Sequence, residues 1–246
     1  MNEGELFMCT TPSYTLETLK VGKMENFIYL IRDKATGRTA VVDPAWDVTA
    51  IMQVAKANDM HISDVLLTHC HYDHVNGLTE LLQHYDAQIH ISKIEAQFWG
   101  QNLNASARLH HGGDSFTLGK TQIDLWHTPG HTPGSACYHL SHDVIAGDTL
   151  FVFGCGRCDL AGGDPEQMFA TLKHLAKHLE PTCVLRPGHD YAIQSTSTIA
   201  EQVAGNPFMH CQTVEQFRHY RMQLHDKIRE EPYTAMSAEK VLQLFE

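Results

Sequence analysis

Three histidines and an aspartate occupy six consecutive positions, 69–74, in the stretch THCHYDH, directly after an apolar run. If the chain stays extended there, alternate side chains project to one side, so His69, His71 and Asp73 would share a face. His74 would then open the following helix. Surface histidines in a loop are the simpler interpretation, but so many ligand-type side chains at a strand end favour a metal site.

Three later turns place further ligand-type side chains after apolar runs. His131 stands in HTPGHTPGS, Asp148 in IAGDTLF and His189 in RPGHDY. Glycine or proline close to each of these residues lets the backbone approach closely. Imidazole and carboxylate groups without thiolates are typical of a working zinc, iron or manganese site, whereas structural zinc is usually held by cysteines.

The first part of the chain alternates between strand and helix patterns. ENFIYLIRD and RTAVVDP predict a hairpin-like strand pair at 25–44, and DVTAIMQVAKAND predicts a helix capped by Asp47. DVLLTH predicts a buried strand, HVNGLTELLQHY a helix and AQIHIS another strand. This β-α-β-α-β order indicates an α/β fold.

Short strands dominate from residue 114 onward, in DSFTLG, TQIDLWHT, SACYHLS and DVIAGD. A helix capped by Asp164 follows, then a strand in CVLRPGHD, and the remainder reads as mostly helical. We therefore expect strand layers between helices in one catalytic domain, residues 1–192. Residues 193–246 would form a mostly helical extension packed on the same domain.

The composition excludes several classes of protein. Of the 246 residues, 43% are hydrophobic and 19% are charged, which is typical of a globular chain, and no apolar run is long enough to span a bilayer. The first residues predict no signal peptide, so we expect a cytoplasmic protein. A formal charge of −11 argues against nucleic acid as a partner. Seven scattered cysteines indicate reduced thiols rather than a disulfide framework.

The four motifs T-H-x-H-x-D-H, P-G-H-T, G-D-T and G-H-D-Y together resemble the metallo-β-lactamase superfamily, and within it the glyoxalase II-like (hydroxyacylglutathione hydrolase) and persulfide dioxygenase branches. The resemblance implies a four-layered αβ/βα sandwich with the metal site at an edge shared by two sheets. It also implies that His69, His71 and His131 bind one metal. Asp73, His74 and His189 would then bind a second, with Asp148 bridging both.

Carried further, the resemblance implies a hydrolase of glutathione thioesters such as S-lactoylglutathione. The cofactor would be two divalent metal ions, zinc in the first place, with iron or manganese as other choices. Asp73 and Asp148 would be the catalytic residues, because they would hold the metal-bound hydroxide that attacks the thioester carbonyl. Arg157 and Tyr191 match positions that bind glutathione in typical glyoxalase II.

One departure from typical glyoxalase II concerns the C-terminal part of the chain. The family has a longer helical segment between its G-H-x-Y and N-P-F motifs, and a basic cluster near the C-terminus that completes the glutathione site. Here the two motifs are close together and the chain ends in EKVLQLFE. The glutathione site is therefore the part of the resemblance that the motifs support least.

The main alternative is a glutathione persulfide dioxygenase with a single Fe(II). That ion would bind the positions matching His71, His131 and Asp148, the two-histidine, one-carboxylate arrangement that leaves sites for O₂ and sulfur. The other four motif residues would then orient ligands. A scaffold that binds metal without turnover is a further alternative, whereas class B β-lactamases and RNA-cleaving relatives fit the sequence less well. In each enzymatic case the partner is a small molecule, with no membrane involved and the oligomeric state open.

Weaker signals have simpler interpretations. Cys155 and Cys158 have C-x-x-C spacing, but no second pair accompanies them, so a redox or zinc role is disfavoured. His174 and His178 are one helical turn apart and more typical of an exposed pair than of a metal site. The aromatic residues that could line a pocket are more typical of a core: Phe98, Trp99 and Trp126.

Overall fold

The computed structural model describes residues 11–101, 103 and 107–245. The expectation that the chain starts without a signal peptide concerns residues outside this part. The first six strands form one sheet in chain order, with antiparallel pairing from β1 to β3 and parallel pairing from β3 to β6. Their bounds are β1 Tyr14–Val21, β2 Asn26–Asp33, β3 Arg38–Val42, β4 His61–Leu66, β5 Gln88–Ser92 and β6 Arg108–His110.

Four helices connect the parallel strands of this first sheet. The predicted cap of α1 is present, since the Asp47 carboxylate accepts a hydrogen bond from the backbone N–H of Ala50. The apolar side chains of α1 and α3 pack on the sheet face that carries Ile28, Leu30 and Val65. The helix bounds are α1 Val48–Ala57, α2 Tyr72–Val75, α3 Leu78–His84 and α4 Lys93–Trp99.

The second sheet has six strands in the order β14-β13-β10-β9-β8-β7, and a two-stranded ribbon, β11 with β12, stands beside it. β10 and β13 are parallel neighbours, so their carboxyl ends meet at the same edge. The bounds are β7 Ser115–Leu118, β8 Thr121–His127, β9 Ala136–His139, β10 Asp143–Gly147, β11 Leu150–Phe151, β12 Gly154–Cys155, β13 Val184–Pro187 and β14 Ser197–Thr198.

The helices of the second half pack on the outer face of this sheet. Asp164 caps α5 through the N–H groups of Glu166 and Gln167, as predicted, and Thr198 and Glu201 form a capping box at α6. A π-helical turn, Tyr220–Leu224, stands between α8 and α9. The bounds are α5 Pro165–His178, α6 Ile199–Gly205, α7 Pro207–His210, α8 Val214–His219, α9 His225–Ile228 and α10 Ala238–Gln243.

Three buried apolar clusters define the layers. The inner faces of both sheets share one cluster, in which Tyr29 and Ile31 of the first sheet meet Leu125 and Tyr138 of the second. The other two clusters lie between each sheet and its helices. Helix, sheet, sheet and helix thus follow one another, and the predicted four-layered sandwich with C-terminal helices is confirmed.

The sheets are joined at one edge by the backbone. The N–H of Phe27, in β2, donates to the carbonyl oxygen of Gly188 at 2.8 Å, and the N–H of Asp190 donates to Glu25 O at 2.9 Å. The Tyr29 hydroxyl adds a buried hydrogen bond to Pro187 O at 2.7 Å. The segment that carries His189 is therefore held directly against the first sheet.

Some predicted elements differ in the structure. The expected extended run through 69–73 is wrong, because β4 ends at Leu66 and α2 begins at Tyr72. The single predicted helix over 74–85 is interrupted at Gly77, where a Cβ would meet the side chain of Val48 at 2.9 Å and the carbonyl oxygen of Pro44 at 3.0 Å. Several elements have no counterpart among the predicted ones: strands β1, β6, β11, β12 and β14 and helix α4.

The expected division into a domain at 1–192 and an extension at 193–246 stays a prediction. In the described part of that extension, α7 and α8 pack against α5, and Phe208 and Phe217 join the outer cluster of the second half. No helix within the described ranges is long and apolar enough to cross a bilayer.

Candidate metal centre

The first four ligand-type residues lie between β4 and α2 and within α2. His71 is the N-cap of α2, with extended backbone angles of φ −62° and ψ 145°. Asp73 and His74 are therefore in the first turn of this helix rather than in a strand. The tight turn from His71 into α2 still brings the four side chains together at the edge of the sheet.

The remaining three come from the ends of strands in the second sheet. His131 follows β8, Asp148 immediately follows β10, and His189 follows β13 by two residues. Since β10 and β13 are parallel neighbours, Asp148 and His189 leave the sheet at the same edge. All seven predicted ligands therefore meet where the two sheets join, and we call them the ligand cluster.

One half of the ligand cluster consists of three histidines, His69, His71 and His131. One ring nitrogen from each lies within 4.8 Å of the others. The closest approach is 2.8 Å, between Nδ1 of His71 and Nε2 of His131. Three imidazoles at this spacing match the protein ligands of a divalent metal that keeps a further coordination position open.

The other half consists of Asp73, His74 and His189, whose ligand atoms also lie within 4.8 Å of one another. The Nε2 atoms of His74 and His189 are 3.2 Å apart, and the Oδ2 atom of Asp73 is 3.4 Å from each of them. All the histidine side chains of the cluster except His71 are almost completely buried.

Asp148 lies between the two halves. Its Oδ2 atom is 3.5 Å from Nε2 of His131, while its Oδ1 atom is 3.2 Å from Nε2 of His74 and 3.3 Å from Nε2 of His189. Each carboxylate oxygen thus faces a different half. This is the placement expected of a carboxylate that bridges two metal ions.

In their neutral form, four of the rings turn an unprotonated nitrogen toward the centre because of the hydrogen bonds at Nδ1. Nδ1 of His131 and Nδ1 of His189 must donate, because each contacts a backbone carbonyl oxygen at 2.8 Å, those of Arg157 and Met24. Nδ1 of His74 donates to the Asp43 carboxylate at 3.0 Å. In each ring the Nε2 lone pair then points into the cluster, as metal-binding histidines require.

The Nε2 atom of His69 is also unprotonated in the neutral ring, because Nδ1 donates to the hydroxyl oxygen of Thr68. Thr68 uses its only hydroxyl proton on Asp43, at 2.6 Å, so Nδ1 of His69 donates to the Thr68 oxygen at 3.0 Å. Its Nε2 is buried and has no hydrogen-bond partner among the described residues, and the same holds for Oδ1 of Asp148. Two unpaired buried acceptors are costly for a protein, and a bound cation would satisfy both.

Electrostatics agree with a metal-binding role. Burial lowers the pKa of His131 to about 4 and also lowers the pKa of His71, so both imidazoles are neutral near pH 7, the form that binds metal. Burial raises the pKa of Asp73, but hydrogen bonding and charge attraction with His74 outweigh it and bring that pKa to about 2. His71, His131 and Asp73 are thus in the protonation state that binds metal. At His74, burial lowers the pKa, but attraction to Asp148 and hydrogen bonds to carboxylates outweigh it and raise the pKa well above its usual value, so metal binding there would release a proton.

A cavity of about 880 Å³ opens beside the ligand cluster. The predicted substrate residues Arg157 and Tyr191 both line it. Arg157 is half exposed and forms two hydrogen bonds of 2.7 Å to Asp159. The Tyr191 ring stacks on His189, with ring centroids 4.7 Å apart and planes 8° apart.

The C-terminal part of the chain also contributes to this cavity, which the sequence did not indicate. Arg221, in the π-helical turn, and Arg229 and Tyr233, after α9, line it together with Arg157. Arg221 is buried and pairs with Asp226 at 2.7 Å, whereas Arg229 is partly exposed and pairs with Glu231 at 2.9 Å. We call Arg157, Arg221 and Arg229 the arginine group. The only signal for it in the sequence is the basic residues of YRMQLHDKIREEPY, which resemble any solvated helix face.

The weaker sequence signals lie away from the ligand cluster or are buried. Cys155 and Cys158 are buried free thiols, and burial raises the pKa of Cys158 to about 12. Among the described residues, no cluster of three ligand atoms includes His174 or His178. Of the aromatic residues considered, none lines the cavity beside the ligand cluster: Phe98, Trp99 and Trp126.

Residues 21–189 match the family model described as the metallo-β-lactamase superfamily. The match covers more than half of the chain and contains the whole ligand cluster, so the chain belongs to this superfamily. The relatives below place it among the superfamily's metal-dependent hydrolases, which are enzymes with divalent metal ions.

The chain is 32% identical over 202 residues to a probable polyketide biosynthesis zinc-dependent hydrolase, BaeB, of Bacillus velezensis, covering 82% of this chain and 89% of that protein. It is 31% identical to the probable hydroxyacylglutathione hydrolase glo2 of Schizosaccharomyces pombe, covering 76% and 72% of the two chains. Among solved structures, that of ETHE1 from Myxococcus xanthus aligns with a TM-score of 0.77 and 29% identity, covering 85% of this chain and 91% of the other.

Proposed function

We propose that this protein hydrolyses a thioester whose thiol portion carries carboxylates, namely a glutathione thioester such as S-lactoylglutathione, with two divalent metal ions. The observation that carries the proposal is the position of Asp148 between two three-ligand groups, at the edge of a cavity lined by three arginines. The relatives named hydroxyacylglutathione hydrolase and zinc-dependent hydrolase support it.

His69, His71 and His131 would hold one ion, and Asp73, His74 and His189 the other, with Asp148 shared. Nitrogen and oxygen donors without sulfur suit zinc, iron and manganese alike, and zinc is the first choice because the relative of Bacillus velezensis is named a zinc-dependent hydrolase. Divalent ions bound here lower the pKa of a coordinated water and polarise a substrate carbonyl, which is the chemistry a hydrolase needs at neutral pH.

The residues themselves supply orientation. Asp73 and Asp148 are the two carboxylates of the cluster that line the cavity, so they can accept hydrogen bonds from the attacking water and fix its direction. With a pKa of about 2, Asp73 remains an acceptor throughout the neutral range. The leaving thiolate of a thioester is stable enough to depart without protonation by a general acid. The arginine and tyrosine side chains of the cavity are therefore not needed as general acids.

The arginine group supports an anionic thiol portion. Guanidinium groups pair with carboxylates through two parallel hydrogen bonds. Arg157 and Arg229 are now paired with Asp159 and Glu231, whose side chains are about half exposed or more. Exposed pairs of this kind contribute about 0–1 kcal/mol, so a substrate carboxylate can displace them at little cost.

Metal analysis of protein purified without chelators, combined with an assay of thiol release from S-D-lactoylglutathione, tests the proposal. We expect about two ions per chain and stoichiometric release of glutathione, with activity lost on chelation and restored by zinc. One iron per chain together with O₂ uptake on glutathione persulfide would replace the proposal by the dioxygenase alternative. Full metal content without turnover of either substrate would leave a metal-binding scaffold.

A further inference from the structure

Glu95, in helix α4, has a completely buried side chain that hydrogen-bonds to two separate segments. Its Oε1 atom accepts the backbone N–H of Cys70 at 2.8 Å. Its Oε2 atom accepts the Thr132 hydroxyl at 2.8 Å and the backbone N–H of Gly134 at 3.0 Å. Burying a carboxylate is expensive, and three donors are what compensates it here.

The two segments are those that carry the three-histidine half of the ligand cluster. Cys70 lies between His69 and His71, and Thr132 directly follows His131. Asp43 contacts both halves, His74 directly and His69 through Thr68, whereas the carbonyl of Met24 holds His189 of the other half. Glu95 therefore connects the backbone of one half only.

The loop after His131 also approaches α4 without any intervening side chain. A Cβ placed on Gly134 would collide with the backbone nitrogen of Glu95 and lie only 2.5 Å from its Cα. The loop is thus in direct contact with the first turn of α4, where the carboxylate can reach it. This contact does not involve the Glu95 carboxylate, and it also fixes the distance between the His131 loop and α4.

We propose that Glu95 is a positioning residue that sets the spacing between the His69–His71 segment and the His131 loop, and thereby holds the three-histidine half in its metal-binding arrangement. The inference rests on the proposed function only in taking this half to bind a metal ion; it does not depend on the substrate. It also explains why a carboxylate is required. Each of its two oxygens accepts a hydrogen bond from a backbone N–H, and an N–H group cannot act as an acceptor. A glutamine would turn an NH₂ group toward a backbone N–H in either orientation.

Metal titration of Glu95→Gln tests the proposal, with the exposed Glu80→Gln on α3 as the matched control. Metal-free protein is titrated with zinc against a chromophoric chelator, so the two binding steps are measured without substrate. We expect one ion to bind about 10–100-fold more weakly in Glu95→Gln, as is typical for removal of a supporting hydrogen bond, and the other to be unchanged. Glu80→Gln should bind both ions as the wild type does.

Two further variants cover the case in which Glu95→Gln does not fold. Thr132→Val removes one donor to Oε2, and Gly134→Ala pushes the loop away from α4. Both should weaken the same single ion, Gly134→Ala more strongly. A residue with a merely structural role would lower the Tm of the metal-free protein and leave both zinc affinities unchanged, and that result would overturn the proposal. Failure of the wild type to hydrolyse thioesters would overturn the proposed function instead, because zinc titration requires no turnover.

Discussion

The ligand cluster and the arginine group face the same cavity but are built in different ways. Except for His71, the side chains of the ligand cluster are at most 13% exposed, and hydrogen bonds to Asp43, Met24 O and Arg157 O orient three of the rings. In the arginine group, Arg221 is buried, whereas Arg157 and Arg229 are 54% and 38% exposed and pair with acidic side chains at the surface, Arg229 also with the hydroxyl of Tyr233.

Under the proposed function, this difference would separate chemistry from recognition. Buried, hydrogen-bonded ligands hold one geometry, which catalysis needs because small displacements of reacting groups are costly. Exposed ion pairs can exchange partners at little cost, which suits the binding of an anionic substrate. Changes in the ligand cluster should therefore affect turnover and metal content, and changes in the arginine group should affect substrate affinity.

Replacing Asp148 should have the largest effect. The Asp148→Ala variant removes the carboxylate of the ligand cluster whose two oxygens face different halves, so we expect kcat/KM to fall at least roughly 1,000-fold, about 4 kcal/mol of transition-state stabilisation. Thiol release and metal content are measured together, with the exposed Asp86→Ala as the control. An Asp148→Ala protein that keeps two ions and normal turnover would refute the bridging role.

Removal of metal should lower the thermal stability substantially, because ligands from both sheets meet in the cluster. An ion present at 1,000 times its dissociation constant contributes about 4 kcal/mol to folding. For a chain of this size that corresponds to a Tm shift of roughly 8–16 °C. Calorimetry before and after chelation, and again after addition of zinc, measures the shift; an unchanged Tm would mean that the cluster does not hold the ion.

Arg229→Gln should have a smaller and different effect. We expect KM for S-D-lactoylglutathione to rise about tenfold, equivalent to about 1.4 kcal/mol, with kcat nearly unchanged. An uncharged thioester should show no change, and neither should Arg218→Gln, an exposed α8 residue that does not line the cavity. A fall in kcat at constant KM would contradict the separation of chemistry from recognition.

Asp159→Asn should have the smallest effect. Its hydrogen bonds to Arg157 lower the pKa of Asp159 to about 2, so the pair contributes stability above the unfolded value of about 3.9 and loses it as the pH falls through about 2. Because the pair is exposed, urea unfolding at pH 7 should show a change within about 1 kcal/mol. KM should fall, since Arg157 becomes free for the substrate; a raised KM would show that Asp159 positions it.

The sequence allowed the ligand cluster to be predicted because four ligand-type residues follow one apolar run closely and three more follow later apolar runs beside glycine or proline, and because the four motifs resemble a known superfamily. Whether the positions bind metal remains a prediction, but the chain does bring all seven together. The path of the backbone was harder to predict from the sequence. The chain turns at His71, so Asp73 and His74 lie in a helix that begins at Tyr72. Local pattern alone does not show such a turn.

Contacts between distant segments could not be predicted. Glu95 is 25 residues from Cys70 and 39 from Gly134, and nothing in KIEAQFW marks its carboxylate as buried. The arginine group likewise depends on how α8, the π-helical turn and α9 fold back over the second half. Spacing in the chain carries information about neighbours, whereas these contacts depend on the packed tertiary structure.

The place of the π-helical turn has a consequence for how such enzymes diversify. Arg221 and Arg229 belong to a segment that packs beside the second sheet and contributes no ligand to the cluster. Mutations can therefore accumulate in this segment, changing which molecules are accepted, while the inherited reaction centre is kept intact.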